Sequence, residues 1–251
     1  MGTLDGRVAV VTGGNGGIGF GLAAALLDAG AVVDIWGRDE AKTAGALERL
    51  AGDGRPSVTG RRCDVADEGA VERACAATVA EHGRLDVMVA NAGVVDVRPF
   101  VDTTLDDWRR VTSVDLDGVF LCFREAARHM RAGGGGALVA VSSISALHGS
   151  PRMAAYAAGK AGLLGLVRSA AVELARDGIR ANALLPGWTE IDTHPEMRAD
   201  ARFVDVTTRR TPVRRWGTPD DLAAAIVFLA DPTHTFHTGD TIVVDGGYTV
   251  A

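Results

Sequence analysis

The stretch Thr12-Gly13-Gly14-Asn15-Gly16-Gly17-Ile18-Gly19 follows the apolar run Arg7–Thr12 and opens the helix-length segment Ile18–Ala29. Glycines at a strand-to-helix turn allow a tight bend and let an anion approach the first backbone N–H groups of the helix. The helix dipole favours negative charge at the same place. The stretch therefore predicts a dinucleotide phosphate site, with cofactor contacts at Gly13, Asn15, Gly16, Gly17, Ile18 and Gly19.

Outward from this turn, strand-length apolar runs alternate with helix-length segments along the whole chain. The runs lack polar alternation, which is typical of parallel strands buried on both faces. We therefore predict an α/β fold, a single Rossmann-type doubly wound domain over residues 1–251, with a seven-stranded, mostly parallel sheet and helices on both faces. The predicted strands are Arg7–Thr12, Ala31–Trp36, Ser57–Arg62, Leu85–Ala90, Ala137–Ser142, Arg180–Leu185 and Thr241–Asp245, and the predicted helices are Ile18–Ala29, Glu40–Ala51, Glu68–His82, Asp106–Arg131, Ala154–Asp177 and Pro219–Ala230. The segment Trp188–Val213 has no firm periodicity and is long for a loop, so we expect it to be a substrate lid.

Composition narrows the class of protein. Hydrophobic residues make up 47% of the 251 residues and the formal net charge is -6, which permits a large core and argues against nucleic acid or an anionic membrane as partner. No stretch approaches the ~18 apolar residues of a membrane span, and no signal peptide is evident. The scattered Cys63, Cys75 and Cys122 indicate buried reduced thiols and a cytoplasmic protein. We predict no metal site, since His234 and His237 fit solvated loop histidines better than a ligand pair.

A second signal is the spacing of Tyr156 and Lys160, in a chain with only two tyrosines and two lysines. Four residues apart on a helix, the two side chains lie one turn from each other on one face. A fixed ammonium beside a phenol favours the phenolate and prepares it for proton transfer near working pH. The spacing by itself also fits an ordinary helix face.

Taken in order, these motifs resemble the short-chain dehydrogenase/reductase family. The resemblance rests on the Thr-Gly-x-x-x-Gly-x-Gly spacing of residues 12–19, Asn91-Ala92-Gly93, Ser143 upstream of Tyr156, Pro186-Gly187, and Val244-Asp245-Gly246-Gly247. It implies that Tyr156 is the proton donor in reduction and the base in oxidation. Lys160 would assist Tyr156 and bind the nicotinamide ribose, and Ser143 would hydrogen-bond the substrate carbonyl.

The resemblance also implies further contacts and an assembly. Beyond the glycine turn, the expected cofactor residues are Asp64, Val65, Asn91, Ala92, Gly93, Tyr156, Lys160, Pro186, Gly187 and Thr189. The expected substrate residues are Ser143, Ser145, His148, Tyr156 and Trp188. Members mostly form homotetramers through two long helices, here around residues 106–131 and 154–177, so we expect a homotetramer.

One position departs from the family pattern. The family usually has asparagine where this chain has Asp115, and the backbone there holds a water in the proton relay to the lysine. A backbone contact survives the exchange, whereas a carboxylate near Lys160 would act on the coupled titration. Asp115 is therefore predicted as a catalytic relay residue, with the backbone-only role left open.

The end of the second predicted strand bears on the choice of cofactor. Gly37 stands where an acidic residue would bind the adenosine ribose, and Arg38 follows it. An arginine fork suits a phosphate, so NADP(H) is favoured over NAD(H). In the alternative, Arg38 stacks on adenine or faces solvent while Asp39 reaches the ribose, which would give an NAD-preferring enzyme.

The predicted function is hydride transfer between NADP(H) and a small secondary alcohol or ketone. The run Arg210–Pro219 with Val244–Tyr248 resembles members acting on sugar keto-acids or 3-oxoacyl thioesters. The alternative outside enzymology is a dinucleotide-sensing binding protein on the same fold. That alternative predicts loss of Tyr156, Lys160 or Ser143, and all three are present.

Overall fold

The computed structural model describes residues 2–51, 57–191 and 199–251. Within them, seven strands form one sheet in the order β3-β2-β1-β4-β5-β6-β7, and every neighbouring pair is parallel. The strands are β1 Val8–Thr12, β2 Val32–Gly37, β3 Val58–Arg62, β4 Val87–Ala90, β5 Gly136–Val141, β6 Ile179–Pro186 and β7 Thr241–Val244. This confirms the predicted doubly wound α/β fold.

Helices cover both faces of the sheet. One face carries α1 Gly17–Asp28, α2 Glu40–Leu50 and α8 Ala223–Ala230, and the other carries α3 Glu68–His82, α5 Gly118–Gly133 and α6 Ala154–Leu174. The two remaining α-helices of the described residues are α4 Leu105–Thr112 and α7 Ala201–Arg210. Within the described residues, no helix is both long and apolar enough to cross a membrane.

The core has two halves because successive strand residues point to opposite faces. In β1, Val10 packs with the α3–α5–α6 layer, while Ala9 and Val11 pack with the α1–α8 layer. The three cysteines are free and buried on the α3–α5 side, as predicted. Burial raises the pKa of the Cys63 and Cys75 thiols to about 12.

The strand order determines where on the sheet a ligand is expected to bind. The chain runs from β1 outward to β3 and then returns to place β4 on the other side of β1. Ligands of open α/β sheets bind at such a reversal, outside the carboxyl ends of the strands. The loops after β1 and β4, which carry the glycine turn and Asn91-Ala92-Gly93, meet there.

Two predicted segments differ from the structure. The predicted helix Asp106–Arg131 is divided into α4 and α5 by a π-helical turn, Ser113–Asp117, a feature often found at functional sites. The predicted lid Trp188–Val213 contains α7, which the sequence analysis did not predict. Asp200 caps α7 by accepting the N–H groups of Arg202 and Phe203. Residues 192–198 of the predicted lid lie outside the described residues.

Candidate active site

A cleft of about 560 Å³ lies at the carboxyl ends of β1, β2 and β4. The residues that line it are far apart in the sequence and lie close together because the sheet aligns the ends of these strands. Predicted cofactor residues that line it are Gly13, Asn15, Gly16, Gly17, Ile18, Arg38, Asp64, Val65, Asn91, Ala92, Gly93, Tyr156 and Lys160. A dinucleotide would therefore meet most of its predicted contacts in one continuous space.

The glycine turn is shaped for close backbone approach. Gly13 and Gly17 adopt positive φ angles of 63° and 54°, which favour glycine. A Cβ on Gly19 would collide with the Gly13 carbonyl and the Asn91 amide. Gly16 precedes α1 and gives no side-chain cap, so the first N–H groups of α1 remain open to an anion. The turn thus fits a pyrophosphate.

Thr12 ties the turn to the end of β4. Its Oγ1 accepts the backbone N–H groups of Asn91 and Ala92, both at 2.9 Å. The Asn91 amide donates in turn to the Thr12 carbonyl, also at 2.9 Å. Asn91 therefore acts on the site by fixing the two loops that form the floor of the cleft.

The far end of the cleft carries cations. Lys42 and Arg38 line the cleft here, whereas Lys160, the other lysine of the chain, lines it beside Tyr156. The Lys42 Nζ lies 2.8 Å from the point that a Cβ on Gly16 would occupy, so the ammonium hangs over the glycine turn. Asp39, the acid that would serve an NAD ribose, is the N-cap of α2 and accepts the Lys42 N–H at 2.9 Å. Positive side chains, rather than a free carboxylate, surround this part of the cleft.

Gly37 leaves the end of β2 without an acidic side chain. A Cβ there would collide with the Asn15 side-chain amide, which donates to Thr43 Oγ1 at 3.0 Å. Asn15 therefore packs against the position that carries an acidic side chain in NAD-binding sites.

Tyr156 and Lys160 share one face of α6. The Lys160 Nζ lies 5.6 Å from the centroid of the Tyr156 ring and donates to the Val141 carbonyl at 3.1 Å. Lys160 is only 3% exposed, and its own carbonyl accepts from Ser142 Oγ at 2.8 Å. The ammonium is thus fixed in place beside the phenol.

Ser143 follows β5 and begins a short 3₁₀ turn. Its Oγ accepts the Ser145 N–H at 3.1 Å. Because the oxygen is held as an acceptor, the hydroxyl proton is left to donate outward. Ser143 and Tyr156 both line a second, smaller cavity, which lets them reach one substrate oxygen.

Asp115 lies in the π-helical turn with its side chain fully buried. Its Oδ1 accepts the Val94 N–H at 2.8 Å, and its Oδ2 is 3.6 Å from the Lys160 Nζ without a hydrogen-bond partner. At that distance the interaction is Coulombic rather than a hydrogen bond. Burial raises the pKa of Asp115, although Lys160 and the Val94 N–H act in the opposite direction.

The smaller cavity has a volume of about 130 Å³ and adjoins the cleft. Tyr156 lines both spaces, so its phenol lies at their junction. Trp188 and Trp216 form one wall, with ring centroids 5.6 Å apart and planes 27° from parallel. Phe203 of α7 meets Trp188 edge-on at 4.9 Å.

Comparison with known proteins identifies the family. A family model described as enoyl-(acyl carrier protein) reductase matches residues 13–249. The chain is 42% identical over 244 residues to cis-4-hydroxycyclohexanecarboxylate dehydrogenase of Sinomonas cyclohexanicum, covering 97% of this chain and 96% of that protein. It is 35% identical over 247 residues to 3-oxoacyl-[acyl-carrier-protein] reductase FabG of Chlamydia pneumoniae, covering 98% of each.

Solved structures agree with the sequence relatives. A gluconate 5-dehydrogenase from Burkholderia cenocepacia, solved with NADP and tartrate, superposes with a TM-score of 0.94 at 38% identity, covering 99% of this chain and 97% of that chain. The chain belongs to the short-chain dehydrogenase/reductase family. It is an oxidoreductase of the kind that acts on CH–OH groups, as the sequence predicted.

Several predicted site residues of this short-chain dehydrogenase/reductase do not line the cleft. Pro186, Gly187 and Thr189, predicted for the cofactor, line the adjoining smaller cavity, as do the predicted cofactor residues Ile18 and Tyr156. Gly19 lines neither space, and its lack of a side chain lets the Gly13 carbonyl and the Asn91 amide approach closely. His148, predicted for the substrate, does not line the smaller cavity; its ring packs 5.7 Å from the Tyr248 ring and its Nδ1 contacts the Gly149 carbonyl. Ser145 and Trp188 do line that cavity.

Two residues of this site escaped the sequence analysis. Lys42 comes from the first turn of α2, and its rarity in a chain with two lysines was the available signal. Trp216 comes from beyond α7, and the resemblance of the run Arg210–Pro219 was the available signal. Its Nε1 donates to Thr207 Oγ1 at 2.9 Å in a buried setting, which fixes the ring against Trp188.

Proposed function

We propose that this enzyme interconverts a secondary alcohol and a ketone with NADP(H) as the hydride carrier. The observation that carries the proposal is the place of Tyr156, which lines both the dinucleotide-shaped cleft and the smaller cavity. A proton donor at that junction reaches the oxygen of a substrate whose carbon faces the cofactor. The cleft fits the cofactor because glycines and open N–H groups form its floor.

Each site residue has a separate role in the proposed hydride transfer. When bound, the nicotinamide supplies hydride to the carbonyl carbon in reduction and accepts it from the carbinol carbon in oxidation. Tyr156 gives its phenolic proton to the substrate oxygen in reduction and takes the hydroxyl proton in oxidation. Ser143 donates a hydrogen bond to the same oxygen and stabilises its developing charge. Lys160, held by Val141, favours the phenolate.

Asp115 has a positioning part in this scheme. Its carboxyl group lies beside the Lys160 ammonium and is anchored on the loop that carries Asn91-Ala92-Gly93. A carboxylate there offsets part of the positive charge that favours the Tyr156 phenolate. We propose that Asp115 sets the pH range over which Tyr156 works, through Lys160.

The preference for NADP(H) rests on the charge of the cleft. Arg38 and Lys42 line it, Gly37 provides no acidic side chain, and Asp39 is engaged as a helix cap. A 2′-phosphate would gain charge-assisted hydrogen bonds from these cations. The solved gluconate 5-dehydrogenase similar to this chain contains NADP.

Two of three relatives have names that agree with the substrate classes predicted from the sequence. One is named for gluconate and another for a 3-oxoacyl carrier protein, while a third is named for a hydroxycyclohexane carboxylate. Sugar keto-acids and 3-oxoacyl thioesters therefore remain the substrate classes that the sequence proposes. The binding-protein alternative is disfavoured because Lys160 lines the cleft, Ser143 lines the adjoining cavity, and Tyr156 lines both.

A spectrophotometric screen tests the proposal. Ketones and secondary alcohols are offered with NADPH, NADH and their oxidised forms, and absorbance at the reduced nicotinamide band is followed. We expect turnover of at least one pair, with a higher kcat/KM for the phosphorylated cofactor. Tight NADPH binding without turnover across the panel would favour the binding protein, and higher kcat/KM with NADH would reverse the cofactor preference.

We also propose a homotetramer in a reducing compartment such as the cytoplasm. On the two long helices expected to pair, Phe120 is 45% and Val172 is 82% exposed, which leaves apolar surface for another subunit. The buried free thiols fit a reducing compartment. Light scattering after size exclusion measures the mass directly, and a monomeric mass would overturn the assembly.

A further inference from the structure

Another cavity, of about 440 Å³, lies at the edge of the sheet opposite the active site, where the strands have their amino ends. β5 joins the two edges, since its first residue, Gly136, lines this cavity and its last, Val141, lines the cleft. At 3.3 Å per residue the two spaces are about 17 Å apart along that strand. We refer to this cavity as the amino-edge pocket; its lining includes Arg7, Arg84, Asp86, Gly133 and Arg180.

Arg180 is a buried cation with an unused donor. It is the second residue of β6 and is only 7% exposed, and its Nη2 donates to the Asp231 carbonyl at 2.9 Å. Its Nη1 is buried and has no hydrogen-bond acceptor among the described residues, and no carboxylate among them forms an ion pair with it. Burial lowers the pKa of Arg180, while the charge of Asp231 acts in the opposite direction. Buried charges are normally paired, so this open donor indicates an anionic partner.

Arg7 and Arg84 form a second positive group in the pocket. Both donate to Asp86, Arg7 through Nη1 at 3.0 Å and Arg84 through Nε and Nη2 at 2.7 and 2.6 Å. The Asp86 carboxylate also accepts the Val8 N–H at 2.9 Å. One carboxylate is therefore shared by two guanidinium groups, each of which has five N–H donors. A positive charge and several donors are left over at this end.

The first residues of β5 separate the two positive groups. β5 lies between β4 and β6, so two strand spacings, about 10 Å, divide Asp86 from Arg180. The β5 residues that line the pocket are Gly136 and Ala137, and Ala137 is the register partner of Arg180. Because these residues are small, the space between the positive groups is open to a few carbon atoms of a ligand.

Charge and size define the class of ligand. Among the lining residues that the structure describes, three arginines are balanced by one aspartate. Guanidinium groups match the paired oxygens of carboxylate and phosphate. The pocket also falls within the roughly 300–1,000 Å³ that is usual for sites of small molecules.

We infer that the amino-edge pocket binds a small organic acid with two oxyanion groups, carboxylate or phosphate, a few carbon atoms apart. One group binds Arg180, and the other binds Arg7 and Arg84. The ligand then connects the amino ends of β1, β4 and β6 and stabilises the folded chain. This site is independent of the proposed function, since it lies at the other edge of the sheet from Tyr156.

Calorimetric titration at constant ionic strength measures the binding, with NADP⁺ present to keep anions out of the cofactor cleft. We expect succinate and phosphoglycolate to saturate one site per chain and to bind at least about tenfold more tightly than acetate, which reaches only one positive group. Tighter binding of succinate would assign carboxylates to both ends, and tighter binding of phosphoglycolate would assign phosphate to one. No saturable binding, or an equal affinity for acetate, would overturn the inference.

Arg180→Gln removes the buried cation and should raise the Kd for succinate by at least about tenfold. Arg180→Lys keeps the charge without the planar fork and should cause a smaller loss. Arg176→Gln removes the same charge from an exposed arginine outside the pocket, so it is the matched control and should stay within about twofold. Equal losses in the two glutamine variants would show unspecific attraction and would overturn the site.

A second pair of variants leaves Arg180 in place. Gly133 ends α5 and lines the pocket, and a Cβ on it meets nothing within 4 Å. Gly133→Glu adds a carboxylate that competes with the ligand and should raise the Kd for succinate at least about tenfold, whereas Gly133→Gln should change it less than about threefold. NADP⁺ affinity shows that each variant is folded. Unchanged succinate affinity in both Arg180→Gln and Gly133→Glu would place the anion elsewhere and overturn the inference.

Discussion

The cleft and the smaller cavity meet at Tyr156 but are built in opposite ways. The cleft is polar, holds about 560 Å³, and is formed largely by backbone and by residues next to short motifs. The cavity is apolar, holds about 130 Å³, and depends on side chains such as Trp188 and Trp216 that only the fold brings together. The difference shows that the cleft is formed largely by the geometry of turns, whereas the cavity is formed by the packing of side chains. Changes in one space should therefore leave the other largely intact.

The largest effect is expected at the junction. Tyr156→Phe removes the proton donor and should lower kcat by about 10²–10⁴-fold, because general acid–base catalysis contributes that much. NADPH binding, followed by quenching of protein fluorescence, should change little. Tyr248→Phe, the same change at the other tyrosine, is the control and should stay near the wild-type rate. A Tyr156→Phe enzyme with full activity would assign proton transfer to another group.

The second largest effect is expected from a substitution in the glycine turn, which should change cofactor affinity and stability. Gly19→Ala forces a Cβ into the Gly13 carbonyl and the Asn91 amide, so we expect NADPH affinity to fall by about 10–100-fold and stability by about 1–3 kcal/mol. Gly45→Ala is the matched control, since a Cβ on Gly45 of α2 meets nothing within 4 Å. It should leave binding unchanged and stabilise the fold by about 0.5–1 kcal/mol. Calorimetry measures both quantities, and equal effects of the two changes would contradict the close approach at Gly19.

Lys42 tests the charge of the cleft. Lys42→Met should raise the Kd for NADP⁺ by about tenfold and leave that for NAD⁺ within about twofold, because the loss of one charge-assisted hydrogen bond is partly screened by solvent. Lys42→Arg should retain most of the affinity. After reductive ¹³C-methylation, the two lysines give few NMR signals, so a shift of the Lys42 signal with NADP⁺ but not with NAD⁺ reports the contact directly. Equal loss of affinity for both cofactors would place Lys42 at the pyrophosphate instead.

Asp115→Asn should give the smallest change in rate and a distinctive dependence on pH. Burial raises the pKa of Asp115 above its ordinary value of 3.8, so the folded state keeps a proton that the unfolded state has lost. Stability therefore falls as pH rises through that window, and the asparagine variant, neutral throughout, should gain on the order of 1 kcal/mol above it and nothing below it. Thermal unfolding between pH 3.5 and about 8 measures the difference.

The same variant tests the part of Asp115 in catalysis. Without a carboxylate beside Lys160, the pH profile of kcat/KM should move to lower pH by less than about one unit. A purely structural Asp115 would change stability without moving the profile. An unchanged profile therefore removes Asp115 from the proton relay.

Most of the fold could be predicted from local sequence patterns, because most strands and helices have a recognisable pattern within a few residues. The buried strands lack polar alternation. The glycine turn lies where a strand ends and a helix begins, so neighbouring residues of the sequence are enough to predict β1, α1 and the phosphate site. The π-helical turn that carries Asp115 was missed because a one-residue bulge leaves the apolar period of α4 and α5 almost unchanged. Helix α7 was missed because its contacts, Phe203 and Thr207, face aromatic rings rather than the sheet.

By itself, the sequence determined the doubly wound fold, the family, and the residues Ser143, Tyr156 and Lys160, because motif spacing is a property of the chain alone. Only the tertiary structure decided that Lys42 lies over Gly16, that Asn15 packs against Gly37, and that Thr189 lines the smaller cavity. It also decided that Trp216 completes an apolar wall with Trp188. The physical reason is that such contacts join residues far apart in the chain, and their distances are fixed by how strands, loops and helices pack rather than by any local pattern.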